Sequence, residues 1–289
     1  MKIPLLLPCL LFSLMLQAQS KQLEFYQTDW GRQVSWDAFC QKVKAAGYHG
    51  VETWFPSNEE QQAQLKAALK KYGLKVGFLH GTDRALPFPE ALTKYTKHFK
   101  QILAWKPAYI NCHTGSDFMS FEQNKAFLEA AIALGKAENV PIYHETHRGR
   151  FSYNLPDTRA YLEALPELKL TLDISHWMVV HESLLQGKDT ALTQILERSH
   201  HIHARVGHAQ GPQVNDPQAP EWQKAVERHL DIWEKTIRKK WKTQDTMTVT
   251  TEFGPANYMP TLPHTQVPVA NQWKANVYMM AQLKARLQR

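Results

Sequence analysis

Two patterns of hydrophobic and polar positions alternate along the chain. Short runs rich in β-branched and aromatic residues, such as "LKVGFLHG" and "TMTVTTEFG", are typical of buried strands, and longer helical segments separate them. The predicted strands cover residues 23–26, 50–55, 74–81, 108–115, 140–147, 168–176, 201–207 and 246–254. Because a helix is predicted after each strand, we expect parallel pairing with right-handed crossovers. The sequence therefore predicts an α/β fold, a single (β/α)8 TIM barrel preceded by a signal peptide.

Capping signals mark the starts of several helices. Ser35 is predicted to cap the first helix, which stops at Gly47. The pairs Ser57–Glu60 and Ser120–Gln123 have the spacing of capping boxes. Further helices are predicted after Pro89 and over residues 157–165, 191–198, 222–240 and 271–287. An open doubly wound sheet is the alternative fold, but it would normally carry a glycine-rich turn after the first strand, and "QTDWGRQ" is not such a turn.

The first 20 residues form a separate feature of the chain. "MKIPLLLPCLLFSLMLQAQS" has one positive charge, an apolar run and then small and polar residues, which is typical of a secretory signal peptide cleaved after Ala18. A buried first helix or a membrane anchor is the alternative, but Pro4 and Pro8 disfavour a helix and the run is short for a bilayer. We therefore expect a signal peptide over residues 1–18, a barrel over residues 19–289, and a periplasmic or secreted protein.

Charge and cysteine content exclude several classes of partner. The net charge is +7, but the basic residues are spread, and "RKKWK" at residues 238–242 suits the end of a helix. We therefore expect no nucleic-acid partner. No other segment is apolar enough to cross a membrane, so no stable membrane insertion is expected. Cys40 and Cys112 are predicted to be buried free thiols. A homo-oligomer is left open.

Polar or ionisable residues close nearly every predicted strand. In chain order they are Glu52, His80, His113, Glu145, Asp173, His203 and Glu252. The carboxyl ends of the strands form the active-site face of such a barrel. Burying this many ionisable groups together costs too much free energy unless something compensates, and a divalent cation would do so.

Strand periodicity selects four of these residues as metal ligands. Side chains alternate between the two faces of a strand, so the inward positions of four consecutive strands can bring one group together. That group is Glu145, Asp173, His203 and Glu252. Three carboxylates and an imidazole suit Mn²⁺, Co²⁺, Zn²⁺ or Mg²⁺ and do not choose between them.

The motifs "YHETH", "LDISHW", "HIHARVG" and "TTEFGP" resemble those of the xylose isomerase-like TIM-barrel superfamily, the sugar phosphate isomerases and epimerases. The resemblance extends from Leu23 to the end of the chain. In the ketose 3-epimerases of this superfamily, the four strand-end ligands bind one metal. The resemblance further implies that Glu145 and Glu252 are catalytic and move the proton. It implies that His176, three residues after the strand-six aspartate, contacts the substrate.

Three positions depart from the pattern of the superfamily. Phe151 stands where the epimerases typically carry a second acid, and Ala209 stands where they carry an arginine, although Arg205 is nearby. The endonuclease IV branch has an Asp-x-His pair after strand seven, and here Asp216 is followed by Gln218. This weakens a nuclease function, although His80, His113 and His176 are candidates for further metal ligands.

Several residues near the strand ends are candidates for substrate contacts. The cations Arg148, Arg150, Arg205 and His208 favour an acidic or strongly polar substrate, unless they pair with loop acids such as Asp157 and Asp216. Trp30, Trp54 and Trp177 could stack on a sugar, although each taken alone is better explained by core packing. The predicted substrate-binding residues are His176, His113, His80, Arg205, Arg148, Glu52 and Trp54.

The expected activity is that of a metal-dependent sugar isomerase or epimerase, which moves a proton next to a carbonyl through an enediolate. The expected partner is a small-molecule carbohydrate: a free sugar, a sugar acid or an oxidised glycoside. A 3-keto-glycoside lyase or hydrolase on the same scaffold and a non-catalytic sugar-binding protein are the alternatives.

Overall fold

The computed structural model describes residues 21–288, so the predicted signal peptide, residues 1–18, lies outside the described residues. Eight parallel strands form a closed barrel in chain order, and β1 pairs with β8 to close it. The strands are β1 (Gln22–Thr28), β2 (Gly50–Trp54), β3 (Lys75–Gly81), β4 (Tyr109–His113), β5 (Ile142–Glu145), β6 (Leu170–Leu172), β7 (Ser199–Ala204) and β8 (Thr246–Thr251). This closure confirms the predicted barrel and excludes the open doubly wound sheet.

Helices pack around the barrel and cover its outer face. They are α1 (Trp36–Ala45), α2 (Glu59–Tyr72), α3 (Phe88–Leu103), α4 (Phe121–Glu138), α5 (Leu155–Ala164), α6 (Ile174–Val180), α7 (Asp189–Arg198), α8 (Gln223–Lys240) and α9 (Gln272–Leu287). Cys40 and Cys112 are buried free thiols in this layer and on β4, as predicted. Within residues 21–288, no helix has the length and apolar character needed to span a bilayer.

The capping signals predict the start of two of the helices correctly. The Ser35 side chain accepts a hydrogen bond from the backbone N–H of Ala38, and Ser120 forms a complete capping box at the start of α4. The predicted capping box at Ser57 is wrong. Asn58 caps α2 instead, because its side chain accepts from the backbone N–H of Gln61.

The prediction of a long sixth strand over residues 168–176 is also wrong. β6 ends at Leu172, and Asp173 leaves the strand to cap α6 by accepting a hydrogen bond from the backbone N–H of Ser175. His176 therefore lies in the first turn of a short helix. This turn brings His176 back over the carboxyl end of β6, next to Asp173.

Glycines on two strands make room for aromatic rings in the lower barrel. A Cβ atom on Gly77 would lie 2.3 Å from the Tyr109 ring, and one on Gly50 would lie 2.4 Å from the Tyr26 ring. The two tyrosine rings meet edge to face, with centroids 5.1 Å apart. These large side chains fill the amino-terminal half of the barrel, so the inward positions nearer the carboxyl ends of the strands are left to polar and ionisable residues.

Candidate metal centre and substrate pocket

Four inward-facing side chains meet at the carboxyl ends of β5 to β8. Glu145 is the last residue of β5, Asp173 and Glu252 directly follow β6 and β8, and His203 lies near the end of β7. One ligand atom from each of the four lies within 4.8 Å of the others, and all four residues are buried. The structure thus brings together the group that strand periodicity predicts.

The group of four candidate ligands has an excess of negative charge, because it contains three carboxylates and one imidazole. Burial lowers the pKa of His203, but Glu252, Glu52 and Glu145 outweigh burial and raise it well above its usual range. His203 Nδ1 lies 2.8 Å from Glu252 Oε2 and 3.4 Å from Glu145 Oε2. Burial raises the pKa of Asp173 to about 6, although Arg205 opposes this. The surroundings therefore favour positive charge at the centre of the group.

The unsatisfied atoms of the group fit a divalent cation. His203 Nδ1 and Glu252 Oε2 are both buried and lie 2.8 Å apart, but the contact lacks hydrogen-bond geometry and neither atom has another partner within the described residues. Buried polar atoms normally have a partner, and oxygen and imidazole ligands suit several divalent metals. The residues present therefore fit the predicted cofactor, with Glu145, Asp173, His203 and Glu252 as its holders, and leave its identity open.

Arg205 lies inside the pocket and contacts two of the candidate ligands. Its guanidinium donates to Asp173 Oδ2 and lies 3.5 Å from Glu252 Oε2. It also donates to His176 Nε2 at 2.8 Å and lies 4.6 Å from the centre of the Tyr258 ring. Arg205 was predicted to bind substrate. The structure shows its charge already engaged by two buried carboxylates, so its first role is to position them.

Glu52 lies deeper in the barrel than predicted. Its carboxylate is fully buried, 2.8 Å from His203 Nε2 and 3.3 Å from His201 Nε2. Glu52 was predicted to contact substrate, but the structure places it beneath the ligand group because it is the middle inward position of β2. Its carboxylate charge acts on the Nε2 side of the His203 ring, while Nδ1 on the other side faces Glu145 and Glu252. Carboxylates placed behind metal-binding histidines commonly orient the ring and raise its basicity.

We expect Glu52→Gln to weaken metal binding by about 10- to 100-fold, because a neutral amide no longer supplies the negative charge beside His203 that supports the ring as a ligand. The measurement is a metal titration of the folded variant, with its unfolding midpoint compared with that of the wild type. Glu52→Asp keeps the charge and should recover part of the affinity. Unchanged metal affinity in Glu52→Gln would remove Glu52 from the centre.

A row of three histidine rings lines the pocket beside Glu145, and we call His113, His147 and His176 the histidine row. His113 Nε2 lies 2.8 Å from Glu145 Oε2. The rings of His113 and His147 are 4.9 Å apart, and those of His147 and His176 are 3.8 Å apart. Burial, followed by a neighbouring histidine, lowers the pKa of both His147 and His176 well below the usual range. These two rings are therefore neutral near pH 7.

The hydrogen bond from Arg205 fixes the tautomer of His176. Because Nε2 accepts from the guanidinium, the ring proton is on Nδ1, which is buried without a partner. Glu145, His147 and His176 also form a group with metal-ligand spacing. However, this tautomer offers His176 as an N–H donor rather than as a metal ligand. The Nδ1–H of His176 is therefore left without a partner among the described residues, and its contact with a substrate stays a prediction.

His80 lies outside the pocket, contrary to its prediction as a substrate contact. Gly77 faces into the barrel, so alternation along β3 turns His80 outward. Its ring lies against Tyr95 at 4.3 Å and contacts His98 Nδ1 at 3.2 Å. Burial lowers its pKa to about 3, so it is a neutral core histidine.

The three tryptophans that were considered for stacking on a sugar lie in different places, one in the core and two nearer the rim of the pocket. Trp177 is fully buried, and its indole N–H donates to the backbone carbonyl of Ser152 at 2.8 Å, so it packs the core. Trp54 is about half exposed at the end of β2, and its ring lies 5.4 Å from that of His113. Trp30 is partly exposed and packs edge-on against Tyr258 at 4.9 Å.

Two residues of the pocket were missed in the sequence. Asn111 donates to Glu145 Oε2 at 2.9 Å, and strand alternation could have found it because it shares a face with His113. Tyr258 lies between two guanidinium groups, 4.6 Å from Arg205 and 5.3 Å from Arg148. It belongs to the long connection between β8 and α9, and no periodic signal places such a residue.

A closed barrel of eight parallel strands with a buried group of three carboxylates and an imidazole defines a TIM barrel with a candidate metal centre. Within that class, this chain belongs to the xylose isomerase-like TIM barrel family, whose sequence model matches residues 40–234. The match confirms the resemblance seen in the sequence. A search of curated protein sequences finds no match.

Several solved structures share the fold. The 3-keto-D-glucoside 4-epimerase from E. coli is 15% identical, with a TM-score of 0.62 over 91% of this chain and 100% of that chain. The probable 3-DHS dehydratase from Bacillus anthracis is 15% identical, with a TM-score of 0.60 over 90% of this chain and 98% of that chain. A xylose isomerase-like protein from Mycobacterium smegmatis in complex with magnesium is 9% identical, with a TM-score of 0.58 over 91% of this chain and 97% of that chain.

Proposed function

We propose that the protein is a divalent-metal-dependent enzyme that moves a proton next to a carbonyl in a carbohydrate, as an isomerase or epimerase. The observation that carries this proposal is the meeting of Glu145 and Glu252 at His203 within one buried group of suitable metal ligands. When bound, the metal would polarise the substrate carbonyl and acidify the neighbouring C–H bond. The similarity in fold to the E. coli epimerase supports the same class of substrate.

The two glutamates supply the base and the acid. Burial raises the pKa of Glu145, but His113 and His203 outweigh burial and hold it well below its usual range. Glu145 is therefore a carboxylate at neutral pH and can accept a proton. Glu145 ends β5, and Glu252 follows β8, three strands further round the barrel. The two carboxylates can therefore approach a substrate from different sides. Return of the proton to the opposite face gives an epimer, and return to the neighbouring carbon gives an isomer.

The histidine row and the rim would hold the sugar. His176 directs a buried N–H donor, and His113 lies between Glu145 and the exposed Trp54. Neutral imidazoles suit sugar hydroxyl groups because each ring offers one donor and one acceptor. From the pattern of residues 1–18, we also propose that the enzyme is exported, acts in the periplasm or outside the cell, and meets free or oxidised sugars there.

The main alternative is a lyase or hydrolase that cleaves a 3-keto-glycoside at the same centre. The observation that favours it is the histidine row, because an imidazole N–H beside Glu145 could donate a hydrogen bond to a departing glycosidic oxygen and orient it. Protein with assayed metal content is therefore incubated with ketoses, sugar acids and 3-keto-glycosides, and the products are identified by NMR. An epimer or isomer supports the proposal, and a released aglycone supports the lyase. Binding without any product would support the non-catalytic alternative.

We expect Trp54→Ala to weaken sugar binding by about 3- to 10-fold, because an exposed ring at the rim can stack on an apolar sugar face. The measurement is the Kd or KM for the substrate found in the panel, with metal content determined in the same sample. Trp54→Phe keeps an aromatic ring and should retain most of the affinity. If Trp54→Ala binds the sugar as the wild type does, Trp54 has no contact with it.

A further inference from the structure

Two arginines from different loops meet at one backbone carbonyl on the pocket rim. Arg84 belongs to the connection between β3 and α3, and Arg150 belongs to the turn after β5. A guanidinium nitrogen of each donates to the carbonyl oxygen of Gly149 at 3.3 Å. We call Arg84 and Arg150 the arginine pair. Like charges repel at this separation, so an anion bound between the two guanidinium groups would relieve that repulsion.

No carboxylate of the described chain pairs with either arginine. Among residues 21–288, the ion pairs within 4.0 Å include neither Arg84 nor Arg150. Asp83, the acid next to Arg84 in the chain, is engaged by Lys94 at 2.7 Å. The Nε atom of Arg150 is buried and lacks a hydrogen-bond partner.

The loop acids that could have neutralised these arginines are used elsewhere. Asp157 accepts a hydrogen bond from the Asn154 side chain at 2.9 Å, and Asp216 accepts one from the backbone N–H of Gln218 at 2.9 Å. The alternative left open by the sequence was that Arg148, Arg150, Arg205 and His208 pair with such loop acids. Within the described residues none of these cations forms an ion pair with Asp157 or Asp216, and Arg205 pairs with Asp173 and Glu252 instead. Arg84 and Arg150 are therefore free to act on a ligand.

The arginine pair is electrostatically linked to the metal centre. Burial, followed by the charge of Arg84, lowers the pKa of Arg150, and the charges of Glu145 and Asp117 oppose this. Arg150 follows Glu145 by five residues, in a turn that folds back onto β4 through a hydrogen bond from the Phe151 N–H to the Thr114 carbonyl at 3.2 Å. Arg150 is therefore within electrostatic range of Glu145, one of the four candidate ligands.

We propose that Arg84 and Arg150 bind an anionic group, a carboxylate or a phosphate, that the carbohydrate substrate carries away from its reacting carbonyl. Guanidinium groups bind both kinds of anion through paired, charge-assisted hydrogen bonds. The inference rests on the proposed function, because the metal centre is what would hold the other end of the sugar. It names the substrate class as an anionic sugar.

Three matched ketoses test the proposal on the metal-loaded protein: D-fructose, D-fructuronate and D-fructose 6-phosphate. We expect at least one of the two anions to bind about tenfold or more tighter than fructose by calorimetry. Preference for fructuronate identifies a carboxylate, and preference for the phosphate ester identifies a phosphate. The double variant Arg84→Gln, Arg150→Gln should lose this preference and keep its metal and its affinity for fructose. The control Arg159→Gln alters an exposed arginine on α5 and should change nothing.

Salt dependence gives a second test that does not depend on any variant. Affinity for the anionic ketose should fall as salt rises, and affinity for fructose should not. Equal binding of all three sugars, or a preference that survives the double variant, overturns the anion site.

Exchange of the C–H protons in D2O, followed in the same samples, separates this outcome from the proposed function. Exchange without any anion preference overturns only the anion site. Anion binding that depends on the arginine pair, without exchange on any of the sugars, upholds the site and contradicts the proposed chemistry.

Discussion

Replacing either Glu145 or Glu252 with glutamine is expected to lower turnover by at least about 1000-fold, because each variant would lose both a proposed metal ligand and a proposed proton-transfer group. The carboxylates meet at His203 Nδ1, at 3.4 Å and 2.8 Å, in a pocket from which bulk water is largely excluded. Glutamine has a similar shape but cannot accept a proton. The measurement is kcat on the substrate identified by the product panel, with the metal content of each variant determined beside it.

Glu24→Gln is the matched control for these two variants. Glu24 faces the interior at the opposite end of the same barrel, where it contacts Tyr26 and Lys75. Its substitution should leave the kcat of the folded protein within about twofold of the wild type, because Glu24 contacts none of the four candidate ligands. Near-wild-type turnover in Glu145→Gln or Glu252→Gln would remove that glutamate from the mechanism.

Adding Mn²⁺, Co²⁺, Zn²⁺ or Mg²⁺ to chelator-treated protein is expected to raise its unfolding midpoint and restore its activity. The folded chain presents four preplaced ligands and the unfolded chain does not, so metal at 100 times its Kd stabilises the fold by about 2.7 kcal/mol. The measurement is thermal unfolding with and without each metal, followed by activity on the same samples. The metal with the largest effect on both is the functional one.

The Glu252→Ala variant is the control for this stabilisation. It removes one ligand from the group and relieves the crowding of carboxylates, so the metal-free variant should fold as well as the wild type. We expect the metal-induced shift in midpoint to become much smaller. An equal shift in the variant would mean that the metal binds elsewhere on the chain.

Much of this architecture could be predicted from the sequence, because the barrel imposes two regular patterns. Each strand ends at the same face, and side chains alternate along each strand. These two rules select Glu145, Asp173, His203 and Glu252 without knowledge of any contact, and the structure brings the same four together. Where the rule of alternation was not applied, as at His80, the prediction of a substrate contact was wrong.

The remaining parts of the pocket depend on contacts that no local pattern encodes. Arg84, Arg150 and Tyr258 come from three separate connections, and their approach to the pocket depends on how each connection folds. The short helix α6 was missed because its seven residues follow directly on a buried strand and continue its apolar character. Glu52 was predicted among the residues that close the strands, but it is the middle residue of β2, and the structure places it beneath His203.

Arg205 compensates part of the buried negative charge of the candidate metal centre. A buried carboxylate is costly without a partner, and here one guanidinium serves both Asp173 and Glu252. The same guanidinium fixes the ring of His176 as an N–H donor. The residue directly after β7 therefore contacts two candidate ligands and the predicted substrate contact His176 at once, which no single strand-end rule would indicate.

The most direct test of the central claim is solvent deuterium exchange at the carbon next to the substrate carbonyl. Metal-loaded protein is incubated in D2O with the sugar panel, and NMR follows the loss of the C–H signal in parallel with chelator-treated protein and with Glu145→Gln. We predict exchange in the metal-loaded wild type, and none in the other two samples. Exchange that persists without metal or without Glu145, or its absence from every sugar while the metal is bound, would contradict a metal-dependent proton transfer at this centre.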